Sequence, residues 1–157
     1  MKLLILSDSH GEWRTLEQVT ELERPDVVIH LGDYIGDAQK LSLVCDVPIE
    51  AVPGNCDGLF RKEGDGRILA YEGVRFFLTH GHVYRVKSGT EMLAAVGRQM
   101  GVDAVLFGHT HQALVERAPG GIWLVNPGTA GGVHAKATYA LGTVEQGKVR
   151  FELKEME

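Results

Sequence analysis

The chain opens on a run of apolar residues, Leu3-Leu4-Ile5-Leu6, closed at once by the polar string Ser7-Asp8-Ser9-His10. A short, continuous apolar run of this kind predicts a buried strand over residues 2–7. Trp13, Leu16, Val19 and Thr20 then recur at helical spacing, with Glu12 and Glu17 towards the start, predicting a helix over residues 13–22. Pro25 stops it, and the apolar stretch from Val27 to Leu31 predicts a second buried strand over residues 26–31. A short helix over residues 37–44 and a third buried strand over 47–52, ended by Pro53-Gly54, complete a parallel α/β beginning.

The second half has a different rhythm. Residues 67–71 and 74–79 flank Glu72-Gly73, a tight-hairpin signal. An amphipathic helix follows over residues 90–100, with Met92, Leu93, Val96 and Met100 on one side, then a buried strand over 103–107. Segments 113–117, 122–125, 138–144 and 148–153 are joined by Gly-rich turns and predict an antiparallel meander. The expected fold class is α/β: a two-sheet β-sandwich flanked by helices in four αββα layers, forming one domain over residues 1–157.

Composition narrows the function. A chain of 157 residues, 44% hydrophobic, can bury a real core and is too apolar for disorder. No apolar run approaches the ~20 residues of a spanning helix, so no membrane partner is expected. The first run is also too short for a targeting segment. With 16 basic and 21 acidic residues the net charge is −5, and no Lys/Arg cluster appears. Stable binding of duplex nucleic acid, which draws its affinity from phosphate neutralisation, is therefore disfavoured; short oligonucleotides stay open as substrates. Two cysteines, Cys45 and Cys56, make no disulfide framework and point to a reducing cytoplasm. A homo-oligomer is neither required nor forbidden.

Chemistry enters at the strand ends. Five predicted strands each run into a polar cluster: Asp8-Ser9-His10, Gly32-Asp33, Gly54-Asn55-Cys56-Asp57, His80-Gly81-His82 and Gly108-His109-Thr110-His111. Strand ends are where α/β proteins gather ligands, because loops held by a rigid sheet can converge there. Carboxylate, imidazole and amide oxygen together suit first-row metals such as Mn, Fe, Zn or Ni better than Ca or Mg. Each cluster also has a plain reading. Asp8 and Asp33 fit helix N-caps, Pro53 to Asp57 fits an ordinary turn, and each histidine alone fits a satisfied loop residue. One metal centre accounts for all five at once, whereas the plain reading must be invoked separately each time.

In order, these blocks resemble the pattern D-x-H, G-D, G-N-x-D, H-G-H, G-H-x-H of the calcineurin-like metallophosphoesterases, and in particular their small bacterial and archaeal phosphodiesterase branch. The resemblance runs from Ile5 to Gly131 and includes Asn126-Pro127-Gly128-Thr129, similar to that branch's N-P-G-[ST] turn. It implies two divalent transition-metal ions, manganese first, with nickel, iron or zinc as alternatives. Asp8, His10 and His111 would hold one, Asn55, His80 and His109 the other, and Asp33 would bridge both. Two such ions lower the pKa of a shared water towards ~7 and stabilise charge on phosphate oxygens, giving a hydroxide nucleophile for phosphodiester hydrolysis.

The wider superfamily often has His directly after the ligand Asn; here Cys56 stands there. A thiol is a poorer proton donor than imidazolium at neutral pH, which leaves His82 or water to serve the leaving group. Asp57, Asn126 and Gly128 are expected to touch substrate or to brace the ligands, although Asn126 to Thr129 also fits a simple tight turn. The expected substrate is a small phosphodiester or nucleotide. The same scaffold is similar to Vps29, a retromer subunit that acts as a protein-interaction platform, which gives the rival reading.

Among the remaining residues, His30 is either an orienting partner for a ligand or a core histidine. His134 is expected to be exposed and Cys45 buried. Tyr34 and Phe60 are candidates for a substrate wall, whereas Trp13 fits packing better.

Overall fold

The computed structural model describes residues 1–57 and 66–156. Phe60 lies outside them. Two five-stranded sheets pack face to face, with helices on both outer surfaces. The first sheet is built from β1 (Lys2–Leu6), β2 (Val27–His30), β3 (Ile49–Ala51), β9 (Thr138–Glu145) and β10 (Lys148–Glu155), in the order β10-β9-β1-β2-β3. The second comprises β4 (Gly66–Tyr71), β5 (Val74–Thr79), β6 (Ala104–Leu106), β7 (Leu114–Arg117) and β8 (Trp123–Asn126), in the order β4-β5-β6-β8-β7.

Alternation on β1 divides the layers. Leu3 and Ile5 face the second sheet, joining Ile29, Phe76, Leu78, Leu106 and Val125 in the central core. Leu4 and Leu6 face outward and are covered by α1 (Trp13–Glu23) and α2 (Ile35–Val44) through Leu16, Val19 and Leu41. On α1 the buried positions are Leu16, Val19, Thr20 and Glu23, one helical stripe. On the far side, α3 (Glu91–Met100) covers the second sheet through Leu93 and Ala94.

Several expectations need correcting. The late strands are not one meander. β7 and β8 form a hairpin in the second sheet, where β8 also pairs parallel to β6, while β9 and β10 form a hairpin in the first. β3 is half-buried, because it is an edge strand. Met92 is exposed rather than part of the apolar face of α3. Gly97 has no side chain to hold the helix off Val105 and Ile122, so the buried stripe centres on Leu93, Ala94 and Gly97. Cys45 is half-buried, its thiol donating to the Leu41 carbonyl.

Within each sheet three neighbouring strands run parallel: β1-β2-β3 in the first and β5-β6-β8 in the second. All five polar clusters follow these strands. The sixth parallel strand, β8, delivers Asn126. Among the described residues, no helix is long and apolar enough to cross a membrane.

Candidate functional site

Asp8 and Asp33 lie at the centre, both buried, each on the loop directly after its strand. His111 Nε2 is 3.2 Å from Asp8 Oδ1, and His80 Nε2 is 3.8 Å from the same oxygen. The Asp33 carboxylate has one oxygen towards each side: Oδ1 is 3.5 Å from His80 Nε2 and Oδ2 is 3.9 Å from His10 Nε2. The rings fall into two groups. His10 and His111 have centroids 5.2 Å apart; His109 sits 5.1 Å from His80, and His82 is 5.5 Å from His80. The structure brings Asp8, His10, Asp33, His80, His82, His109 and His111 together. Asn55 is exposed, its side-chain amide turned to the Cys56 thiol. Cys56 is exposed too, while its backbone N–H donates to Asp33 Oδ1 at 2.9 Å.

The plain N-cap reading of the two aspartates fails. Asp8 and Asp33 have φ of 53° and 56°, and the residues at the helix starts are Glu12 and Tyr34. His10, Tyr34, His109 and His111 are also left-handed, with φ between 47° and 72°. Such backbone is costly for side-chain-bearing residues and gathers where surrounding structure imposes it, as at functional sites.

The supports explain how these conformations are held. Ser7 Oγ donates to Asp8 Oδ2 at 2.6 Å, and the His109 backbone N–H reaches the same oxygen from the other sheet at 3.1 Å. A Cβ at Gly108 would collide with Ser7 Oγ and lie 2.7 Å from Asp8 Oδ2, so only glycine allows this approach. The ring Nδ1–H of His80 donates to the Leu31 carbonyl at 2.7 Å, and that of His111 to Val133 at 2.8 Å. In the neutral rings both bonds fix the tautomer whose Nε2 lone pair faces the carboxylates.

The Asn126 to Thr129 segment braces as well as turns. Asn126 Nδ2 donates to the Gly108 carbonyl and to Thr110 Oγ1, and its Oδ1 accepts the Gly128 N–H. Gly128 takes φ of 81° there, and the Thr129 hydroxyl donates to the Asp8 carbonyl at 2.8 Å. Asp57 accepts backbone N–H bonds from Tyr34 and Ile35 on one oxygen and from Gly54 on the other. This starts α2 at Ile35, two residues before its expected beginning. His30 is both core and support: it is buried, with Gly32 N–H on Nδ1 and Ser9 Oγ at Nε2, and the Ser9 hydroxyl donates a hydrogen bond to Asp37 Oδ2. Ser7, Asp37 and the carbonyls of Leu31 and Val133 were not singled out from sequence. Ser7 and Ser9 flank Asp8, which was the available signal; backbone carbonyls carry none.

Electrostatics follow from this crowding. Burial raises the Asp8 pKa above the ordinary carboxylate value, against the charges of His80 and His111 and the Ser7 bond. Asp33 is also desolvated, but the nearby His80 and the bond from the Cys56 backbone hold it well below that value. Burial alone would lower His80, and the two aspartates reverse this, raising it. His109 falls to about 4, through burial and the nearby His80 and Lys87. Burial and Asp33 push the Cys56 thiol up.

A cation fits these groups. Asp8 Oδ1, His10 Nε2 and His80 Nε2 are buried without a hydrogen-bond partner, a condition that is costly unless something else satisfies them. Ligand atoms of Asp8, His10, Asp33 and His111 all lie within 4.8 Å of one another. Tyr34 stands over His10 at 4.9 Å between centroids, as a wall residue would, whereas Trp13 packs under the Arg14 guanidinium.

Known proteins share this architecture. Residues 1–147 match the calcineurin-like phosphoesterase superfamily domain. The chain is 34% identical to the probable metallophosphoesterase YsnB of Bacillus subtilis, covering 96% of this chain and 90% of YsnB. It is 32% identical to the phosphodiesterase YfcE of Escherichia coli, covering 82% and 79%. Among solved structures, wild-type Vps29 of Entamoeba histolytica, complexed with zinc, superposes with a TM-score of 0.77 over all of both chains, at 20% identity. The sandwich, its metal-fitting cluster and these likenesses agree: the chain belongs to the calcineurin-like phosphoesterase superfamily and is a metal-dependent phosphoesterase.

Proposed function

We propose that the protein hydrolyses small phosphodiesters at a two-metal centre, in a reducing cytoplasm. Asp8, His10 and His111 would hold one divalent ion and Asn55, His80 and His109 the other, with Asp33 between them. The supporting observation is the convergence of unpartnered, buried Asp8 Oδ1, His10 Nε2 and His80 Nε2 around an Asp33 carboxylate that faces both histidine groups. Bound there, two ions would acidify water and screen the charge that builds on phosphoryl oxygens. Nitrogen and oxygen donors favour manganese, nickel, iron or zinc over magnesium and calcium.

The chain's own residues supply orientation and protons. Bonds to the Leu31 and Val133 carbonyls present His80 and His111 in one tautomer, and Ser7 and Thr129 hold Asp8 in place. Cys56 keeps its proton at neutral pH and is a weak acid there. Proton delivery to the leaving oxygen therefore falls to water or to His82, which lies beside His80.

The test is hydrolysis of bis-p-nitrophenyl phosphate by protein stripped with chelator and reloaded with Mn²⁺. Activity should return with manganese and be nearly absent in Asp33→Ala. Full activity in excess chelator would refute the proposal. The rival reading, an interaction platform like Vps29, draws on the fold likeness over the whole chain; Vps29 was itself complexed with zinc, so metal binding without turnover would favour it.

A further inference from the structure

Beside the converging side chains lies a cleft of about 270 Å³ whose Lys87, Thr110 and His134 the hydrolytic reading leaves unused. His109, Thr110 and His111 line it, together with Lys87 and His134. Lys87 belongs to a short 3₁₀ turn, Val86–Ser88, after β5, and His134 to the loop between β8 and β9. No carboxylate among the described residues lines this cleft, although the chain as a whole carries a net charge of −5.

Its donors are available. Lys87 is exposed, pairs with no carboxylate among the described residues and lines the cleft beside His109. Thr110 Oγ1 accepts bonds from Asn126 Nδ2 and the Gln112 N–H, which leaves its own O–H to donate. The loop bearing His134 is tied to the site: Val133 holds the His111 ring, and the His134 ring stacks on it at 6.3 Å and 20°. His134 is itself left-handed, with φ of 60°, so its position is imposed rather than relaxed. The volume exceeds several times the ~30 Å³ share of one water, enough for a phosphate group.

We propose that this cleft binds a second phosphate of the ligand, next to the one at the metal centre, so that preferred substrates are phosphoesters bearing a further phosphate. Lys87 supplies the point charge, and Thr110 and His134 supply oriented donors. The substrate class rests on the phosphoesterase reading; the anion site itself does not.

The test therefore measures binding rather than turnover. Thymidine 3′,5′-bisphosphate and thymidine 5′-monophosphate are titrated calorimetrically into Mn²⁺-loaded protein. One charge-assisted contact predicts roughly tenfold tighter binding of the bisphosphate, reduced to about twofold or less in Lys87→Gln and partly reduced in His134→Ala. Equal affinity for the two nucleotides, or an undiminished preference in Lys87→Gln with an unchanged melting temperature, overturns the proposal. If the preference appears but bis-p-nitrophenyl phosphate is not hydrolysed, the anion site stands and the hydrolytic reading falls.

Discussion

Asp57 Oδ1 accepts the backbone N–H of Tyr34 at 2.8 Å, a bond that crosses from the loop after β3 to the loop after β2. Ile35 donates to the same oxygen and Gly54 to the other, at 2.9 Å each, so one carboxylate clamps the loops that carry Asn55 and Asp33. Asp57→Ala should cost about 2–6 kcal/mol, since the Ile35 and Gly54 N–H groups are buried and each left unpaired costs roughly 1–3 kcal/mol. Manganese affinity should fall by roughly 10–100-fold, the range for lost supporting bonds. Urea denaturation and calorimetric metal titration check both, and Asp57→Asn, which keeps one acceptor oxygen, should fall between.

Gly108→Ala tests the close approach of the two sheets at the site. The added methyl would press on Ser7 Oγ and Asp8 Oδ2, displacing the carboxylate that faces His111 and His80. Overpacking of this kind costs about 1–3 kcal/mol, and metal affinity should drop at least roughly tenfold as Asp8 shifts. Unchanged manganese binding would show that the Gly108 approach does not set the position of Asp8.

Cys56→His places imidazole where the wider superfamily has it. Near neutral pH an imidazolium donates a proton better than a thiol whose pKa is pushed up, and poor leaving groups gain most. The monoester-to-diester rate ratio should rise by roughly tenfold or more, read from p-nitrophenyl phosphate against bis-p-nitrophenyl phosphate. An unchanged ratio would mean that proton supply at this position does not limit turnover.

Acid should weaken the fold through Glu23, away from the site. Burial alone would raise its pKa, but bonds from Tyr139, Lys2 and Lys154 outweigh this and bring it from 4.5 to about 2. A folded-state pKa below the unfolded one stabilises above the unfolded value, and the gain is lost as pH falls from about 4.5 towards 2. Its size is at most about 3 kcal/mol, at ~1.4 kcal/mol per unit. Glu23→Gln should thus be markedly less stable than the parent at pH 7 and nearly equal to it near pH 2, by denaturant titration at both.

Some of this was legible in the amino-acid order and some was not. Glu72-Gly73 announced its hairpin, and both residues take positive φ, 48° and 85°. The buried first strand and the helices around it were equally plain, since hydrophobic periodicity reports which face is covered. Periodicity does not name the neighbour, however. Val125 pairs with Leu106 as well as with Val115, and no local pattern separates that mixed sheet from a meander. At the site, Asp8 and Asp33 read as either caps or ligands because both roles use the same side chain; backbone conformation decides between them. Histidine orientation was beyond reach for another reason: Leu31 and Val133 act through carbonyls that every residue possesses.

The left-handed stretch at Asp33 and Tyr34 has a consequence for change over time. Tyr34 sits at φ of 68°, a conformation glycine adopts freely, and roughly 1 kcal/mol of fold stability is forgone by keeping an aromatic ring there. Selection for thermal endurance alone would drift towards glycine at this position, and the ring that now stands against His10 would be lost with it.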